Sequence, residues 1–181
     1  MIGSIWNTRG VGKKGILACL RDMMKDFSLD FIGIQETMKK EYKQSFFRSI
    51  DPESKYFWKW NPSVGRSGGI LCGIRSETLD VSGFKSGKFM MQFVLWDKIK
   101  KCNWALIVVY GAAQEEHKEE FLAELAAFFH GCLMPYIVGG DFNILRHSGE
   151  KNTTFQPSHA TYLFNSIIHT MGLREIFMQG G

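Results

Sequence analysis

The stretch IVGGDFNIL, residues 137–145, sets an acid and an amide two positions apart, Asp141 and Asn143, directly after a strand-forming run. In an extended chain, residues i and i+2 share a face. The pair is therefore expected to point one way and Phe142 the other. Three more short polar clusters follow apolar, strand-like runs: WNTRG at 6–10, QET at 35–37 and YG at 110–111. Taken singly, each has a plain structural use. Asn7 serves as a turn former, Glu36 as an acid at a helix start, and Tyr110 as a core residue with a bonded hydroxyl. Taken together, an Asn, a Glu, an Asp and a second Asn form an oxygen-rich set that suits a hard divalent cation. Mg²⁺, or Mn²⁺ in its place, commonly takes one or two protein carboxylates and completes its shell with water and phosphate. The matching chemistry is attack on a phosphodiester, with the cation polarising a phosphoryl oxygen. The P-loop GxxxxGK[ST] does not occur.

The elements that must position these residues alternate at first. IGSIW (2–6) is a short strand. Residues 13–27 place Ile16, Leu17, Leu20, Met23, Met24 and Phe27 at helical spacing. DFIGIQ (30–35) reads as a buried strand, and a loop and second helix follow. Short connections between such alternating elements indicate an α/β layered fold. The middle changes character: 56–61, 69–74, 79–84, 89–96 and 104–111 are strands joined by turns, which reads as an antiparallel meander. A helix over 115–130 has an acidic first turn. A strand over 134–140 and a helix over 158–172, with Ser158 as N-cap, complete the pattern. LREIF, 173–177, reads as the start of another element, so the sequence looks cut short.

The bulk properties fit one soluble domain over 1–181. At 181 residues, with 45% hydrophobic and 22% charged residues, the chain has enough apolar material for a substantial core. Its net charge of +4 is compatible with a polyanionic partner. The four cysteines are scattered without a CxxC pair, which argues against a zinc site or a disulfide framework and favours a reducing compartment. The start lacks signal-peptide character, and the longest apolar run, 104–113, is too short to span a bilayer. An intracellular protein without membrane attachment is expected.

WNTRG, QET, SGG (67–69), VYG (109–111) and GDFN (140–143), in that order and at these intervals, resemble the endonuclease/exonuclease/phosphatase superfamily. Within it, they look most like the apurinic-like endonuclease domains of plant non-LTR retrotransposons (long interspersed elements). The resemblance implies a four-layer α/β/β/α sandwich with the active site where the edges of the two sheets meet. Carried over by motif, Glu36 is the metal-binding glutamate, and Asn7 helps hold metal and phosphate. Tyr110 contacts the scissile phosphate, Asp141 orients or deprotonates the attacking water, and Asn143 binds a phosphate oxygen. SGG shapes a turn beside the site. The family pattern continues with further strands and a terminal Ser-Asp-His, and this chain stops before them. His147, on the loop after GDFN, is the candidate substitute for that histidine; His117, His159 and His169 fall on helices.

Arg9, Lys13, Lys14, Lys39, Lys40, Arg66 and Arg146 lie in or near loops after strands. Their bland use is a solvated face; their functional use is contact with a DNA backbone, for which Arg9, Lys39 and Arg146 are the leading candidates. Trp58 and Trp60 flank Lys59 and are expected to pack within the sheet rather than stack on bases. The implied protein is a monomeric, Mg²⁺-dependent, DNA-nicking domain of a retrotransposon-like protein, nuclear if active. Two alternatives stand beside it: an inactive relic that at most binds nucleic acid, and a phosphatase acting on a small phosphorylated molecule.

Overall fold

Eight strands pair into two four-stranded sheets in the computed structural model, which describes residues 1–64, 68–147 and 156–176. The first sheet holds β1 (Gly3–Asn7), β2 (Phe31–Gln35), β3 (Tyr56–Asn61) and β4 (Ile70–Arg75), in the order β1-β2-β4-β3. The second holds β5 (Leu79–Ser86), β6 (Met90–Asp97), β7 (Cys102–Tyr110) and β8 (Tyr136–Asp141), in sequence order. Each sheet contains one parallel pair, β1 with β2 and β7 with β8; the remaining pairings are antiparallel.

The expected meander over 56–111 is divided between the sheets. β4 already has β2 on one side and β3 on the other, so it has no edge left for β5. The chain turns at 76–78 and begins the second sheet instead. A turn that changes sheets looks the same in sequence as one that closes a hairpin.

The chain divides into two compact units, residues 1–111 with 132–142, and residues 112–131 with 143–181. In the first, the sheets pack face to face. Phe31, Ile70, Cys72 and Ile74 of one meet Met91, Phe93, Leu95, Trp104, Leu106 and Val108 of the other, all buried. The opposite face of the first sheet, with Ile32, Ile34 and Leu71, packs on α1 (Ile16–Asp26) and α2 (Gln44–Ile50). Every residue of β2 is therefore buried, as expected for a strand covered on both faces. Burial of its apolar side chains, Phe31, Ile32 and Ile34, contributes about 1.5 to 3 kcal/mol each. Phe27, expected on the apolar face of α1, instead follows its last residue as the C-cap and is 60% exposed.

Aromatic residues fill the space between α2 and β3. Phe47 lies 5.7 Å from Trp58 and 6.1 Å from Trp60, ring centre to ring centre, so both tryptophans pack against the helix. Asp51, 6% exposed, anchors the cluster. Its carboxylate accepts the N–H groups of Lys55 (2.8 Å) and Tyr56 (3.0 Å) and the Trp58 indole N–H (3.1 Å). Asp51→Ala leaves three half-buried donors without this acceptor and is expected to destabilise the chain by about 3 kcal/mol. Urea unfolding measures this; a loss below about 1 kcal/mol would show that the anchor is dispensable.

The second unit holds a short 3₁₀ turn (Glu115–His117), α3 (Lys118–His130) and α4 (His159–Thr170). The helix expected over 115–130 thus starts with a tighter turn. Ser158 caps α4 as expected, its hydroxyl accepting the Thr161 N–H at 3.2 Å, and Thr161 returns the bond. Leu173–Ile176 form neither helix nor strand, and the rest of LREIF lies outside the described residues. No helix among the described residues is long and apolar enough to cross a membrane.

Candidate active site

Parallel pairing places the C-terminal ends of β1 and β2 side by side in one sheet, and those of β7 and β8 side by side in the other. Asn7 is paired with Gln35, one residue before Glu36, and Tyr110 is paired with Asp141. All four polar clusters singled out from the sequence begin at these ends, where apolar strands give way to loops.

Asn7 connects them. Its Nδ2 donates to Glu36 Oε1 at 3.1 Å and to Asp141 Oδ2 at 3.0 Å. Its Oδ1 accepts the Arg9 backbone N–H at 3.1 Å, a local turn that fixes which side of the amide faces the carboxylates. The Tyr110 hydroxyl donates to the same Glu36 oxygen at 2.9 Å. Burial, then the Glu36 hydrogen bond and the charges of Glu36 and Asp141, push the Tyr110 ionisation well above the usual tyrosine range. The phenol therefore keeps its proton and acts as a donor.

The loops that carry these residues adopt unusual backbone conformations. Arg9 (φ 49°), Glu36 (φ 49°) and Met38 (φ 56°) occupy the left-handed region without being glycine. Such conformations carry a conformational cost, on the order of 1 kcal/mol or more each, and concentrate at functional sites. Backbone bonds hold the second loop in place: Thr37 N–H donates to Gly69 O (3.2 Å) and Met38 N–H to Gly68 O (3.1 Å). Gly68 and Gly69 thus shape a turn beside Tyr110, while Ser67 and Arg66 lie outside the described residues.

The expected alternation from Asp141 to Asn143 does not hold. β8 ends at Asp141, and Asn143 has a φ of 52°, so the extended geometry that would aim both side chains one way has ended. Asn143 belongs to the second unit, as do Arg146 and His147. Arg146 donates to Asn165 Oδ1 at 3.1 Å and is paired with Glu175, which gives it a structural task. His147 is exposed on its loop. Arg9 is exposed, and Lys39, with its Nζ 5.8 Å from the Phe46 ring centre, lines a cleft of about 300 Å³ with Lys13, Lys14 and Leu17.

Gln35 went unnoticed in the sequence. It is the one strongly polar side chain of the buried strand FIGIQ, which was the available signal. It is 2% exposed, and its Nε2 donates across the sandwich to the Val109 carbonyl of β7. Its own carbonyl accepts both the N–H and the hydroxyl of Thr8, each at 3.1 Å.

Among the described residues, no group of three or more His, Cys, Asp or Glu is placed to hold a metal ion. The site offers two carboxylates, an amide and a phenol instead. Hard oxygen donors joined through one amide fit a divalent cation that keeps water and substrate oxygens in its shell.

Two sheets, with α1 and α2 on the outer face of the first and a polar cluster at the strand ends, define a mixed α/β architecture. A family model described as the endonuclease/exonuclease/phosphatase family matches residues 5–174, and the chain belongs to that family. No curated protein matches it. Among solved structures, it is similar to the AP endonuclease LMAP from Leishmania major (TM-score 0.69, 15% identity, 92% of this chain and 65% of that one). It is also similar to an AP endonuclease from Archaeoglobus fulgidus (TM-score 0.65, 17% identity, 94% and 71%). The human Nocturnin catalytic domain shares the fold over 77% of this chain and 64% of its own (TM-score 0.58, 15% identity). The chain spans 61% of humanized D. rerio TDP2, again with a shared fold (TM-score 0.57, 13% identity, 78% of this chain).

Proposed function

We propose that this chain is a Mg²⁺-dependent phosphodiesterase that nicks DNA, with Mn²⁺ able to replace Mg²⁺. The observation that carries this reading is the Asn7 amide holding Glu36 and Asp141 together at the ends of four strands, with Tyr110 on Glu36. A cation held by Glu36, with the Asn7 amide oxygen turned toward it from Arg9, would polarise the phosphoryl oxygen and ease departure of the leaving group. Asp141 orients the attacking water and accepts its proton. Tyr110 keeps its proton and would turn it from Glu36 to the scissile phosphate when substrate is bound. Asn143 is assigned a phosphate-oxygen contact by the GDFN motif alone. Of the three leading cations, Arg9 and Lys39 remain for the backbone, with Lys13 and Lys14 beside Lys39 in the same cleft, since Arg146 is engaged by Asn165 and Glu175.

The five ordered motifs support placing the chain among retrotransposon-like endonucleases, where a nick exposes a 3′-hydroxyl able to prime reverse transcription. Such a protein would act in the nucleus, as a monomer. The likeness to solved AP endonucleases and to TDP2 supports DNA over a small phosphorylated molecule. The family match running from 5 to 174 supports one functional domain across both units.

The test is nicking of supercoiled plasmid by the purified chain, with Mg²⁺ or with EDTA, beside Asp141→Asn. Open circles that require Mg²⁺ and fall by about 10³-fold in the variant are expected. Folded protein that leaves the plasmid supercoiled under all conditions overturns the reading. If Lys13 and Lys14 contact backbone phosphates, replacing both with Gln lowers the slope of log affinity against log salt by about 1.8, near 0.9 per contact. Fluorescence anisotropy with a duplex reports this slope, and an unchanged value removes the cleft from the DNA path.

A further inference from the structure

Three of the four residues at the candidate site lie next in sequence to a residue that Gln35 meets, and the fourth lies next to Gln35 itself. Gln35 precedes Glu36 directly. Its carbonyl is bonded by Thr8, the neighbour of Asn7. Its amide is bonded to the carbonyl of Val109, the neighbour of Tyr110. That amide also fills the space where a side chain on Gly140, the neighbour of Asp141, would stand. Four strand ends from two sheets thus converge on one buried side chain and its own carbonyl.

We propose that Gln35 is a positioning residue that sets the distances among Asn7, Glu36, Tyr110 and Asp141, acting through Thr8, Val109 and Gly140 without touching substrate. The geometry explains why a polar group sits 2% exposed in an otherwise apolar strand. Burying an amide is costly unless it is bonded, and this one is bonded across the only layer boundary that the site straddles within its unit. An apolar residue would fill the same space but remove the bond that ties β2 to the Val109 carbonyl of β7. The ends of β2 and β7 could then drift apart, and the Tyr110–Glu36 bond with them. The consequence for catalysis rests on the phosphodiesterase reading; the consequence for geometry does not.

The experiment compares the parent chain with Gln35→Met, which keeps the size and removes the donor, and with the milder Thr8→Val, which removes only the hydroxyl bond to the Gln35 carbonyl. Three readouts are taken on each: a crystal structure, Mn²⁺ affinity from the electron paramagnetic resonance signal of unbound ion, and kcat and KM for plasmid nicking. In Gln35→Met the Tyr110 hydroxyl is expected to leave Glu36, beyond about 3.5 Å. Mn²⁺ affinity and kcat are expected to fall about 10- to 100-fold, as when groups behind metal ligands are removed, with KM within about twofold. Thr8→Val moves each in the same direction by less. A core variant away from the site, Ile74→Val, loses stability while leaving all three readouts at parent values. The proposal is overturned if Gln35→Met keeps the Tyr110–Glu36 bond and parent-like Mn²⁺ affinity while only its melting temperature falls. Should Gln35→Met not fold, parent-like geometry and affinity in Thr8→Val overturn it equally. A parent that neither binds Mn²⁺ nor nicks defeats the phosphodiesterase reading, and the crystal structures still decide the role of Gln35.

Discussion

Glu36→Gln is expected to lower Mg²⁺-dependent nicking by roughly 10³-fold while leaving the fold intact. The substitution keeps the side-chain shape and an oxygen in the Oε1 position. The donors from Asn7 (3.1 Å) and Tyr110 (2.9 Å) therefore retain their acceptor. What disappears is one negative charge, that of the carboxylate assigned to hold the cation. A cation supplies several kcal/mol of transition-state stabilisation, and about 4 kcal/mol corresponds to three powers of ten. Plasmid nicking and circular dichroism together give the answer. A variant that nicks at the parent rate would show that the metal is held elsewhere.

Gly140→Ala carries the largest expected effect on stability. Gly140 has a φ of 144°, a conformation that L side chains rarely adopt. An added methyl would run into the Val109 carbonyl oxygen and the Gln35 amide nitrogen. The first of these is backbone and cannot swing aside, so β8 would have to leave its register with β7. A loss of about 4 kcal/mol is expected, in the range reserved for forced overpacking and backbone strain. Urea unfolding of the variant within about 1 kcal/mol of the parent would mean that the close approach at Gly140 is not required. The same variant separates two uses of glycine in GDFN: room for a substrate, which a methyl would leave structurally harmless, and room for Gln35.

The strands and helices were legible because their apolar residues recur at periods of two or 3.6, and because Ser158 marks its helix start as a capping residue should. The four polar clusters were legible for the opposite reason: each interrupts an apolar run where a strand ends. Three things were hidden. The division of the middle strands between two sheets depends on which edges of β4 are already taken, a fact of three-dimensional pairing. The left-handed turns at Arg9 and Glu36 leave no mark, since neither residue type favours them. Asn143 is of a type that tolerates that region, and its turn ends the alternation on which the Asp141–Asn143 reading relied. Gln35 is masked by the acid beside it, although a lone amide in FIGIQ is the stranger residue.

The Asn7 amide has a consequence for how the molecule comes into being. Its two hydrogen bonds join residues 29 and 134 positions apart, and the Tyr110–Glu36 bond spans 74. Contacts of such separation form slowly, because long loops must close before they are rewarded. The centre therefore exists only after both parallel pairs have formed and the sheets have docked. On a ribosome, a chain stalled before residue 141 has emerged carries three of the four groups and can have no assembled site. In refolding from urea, recovery of the Mn²⁺ signal should trail recovery of secondary structure, with function as the last property of the native state to appear.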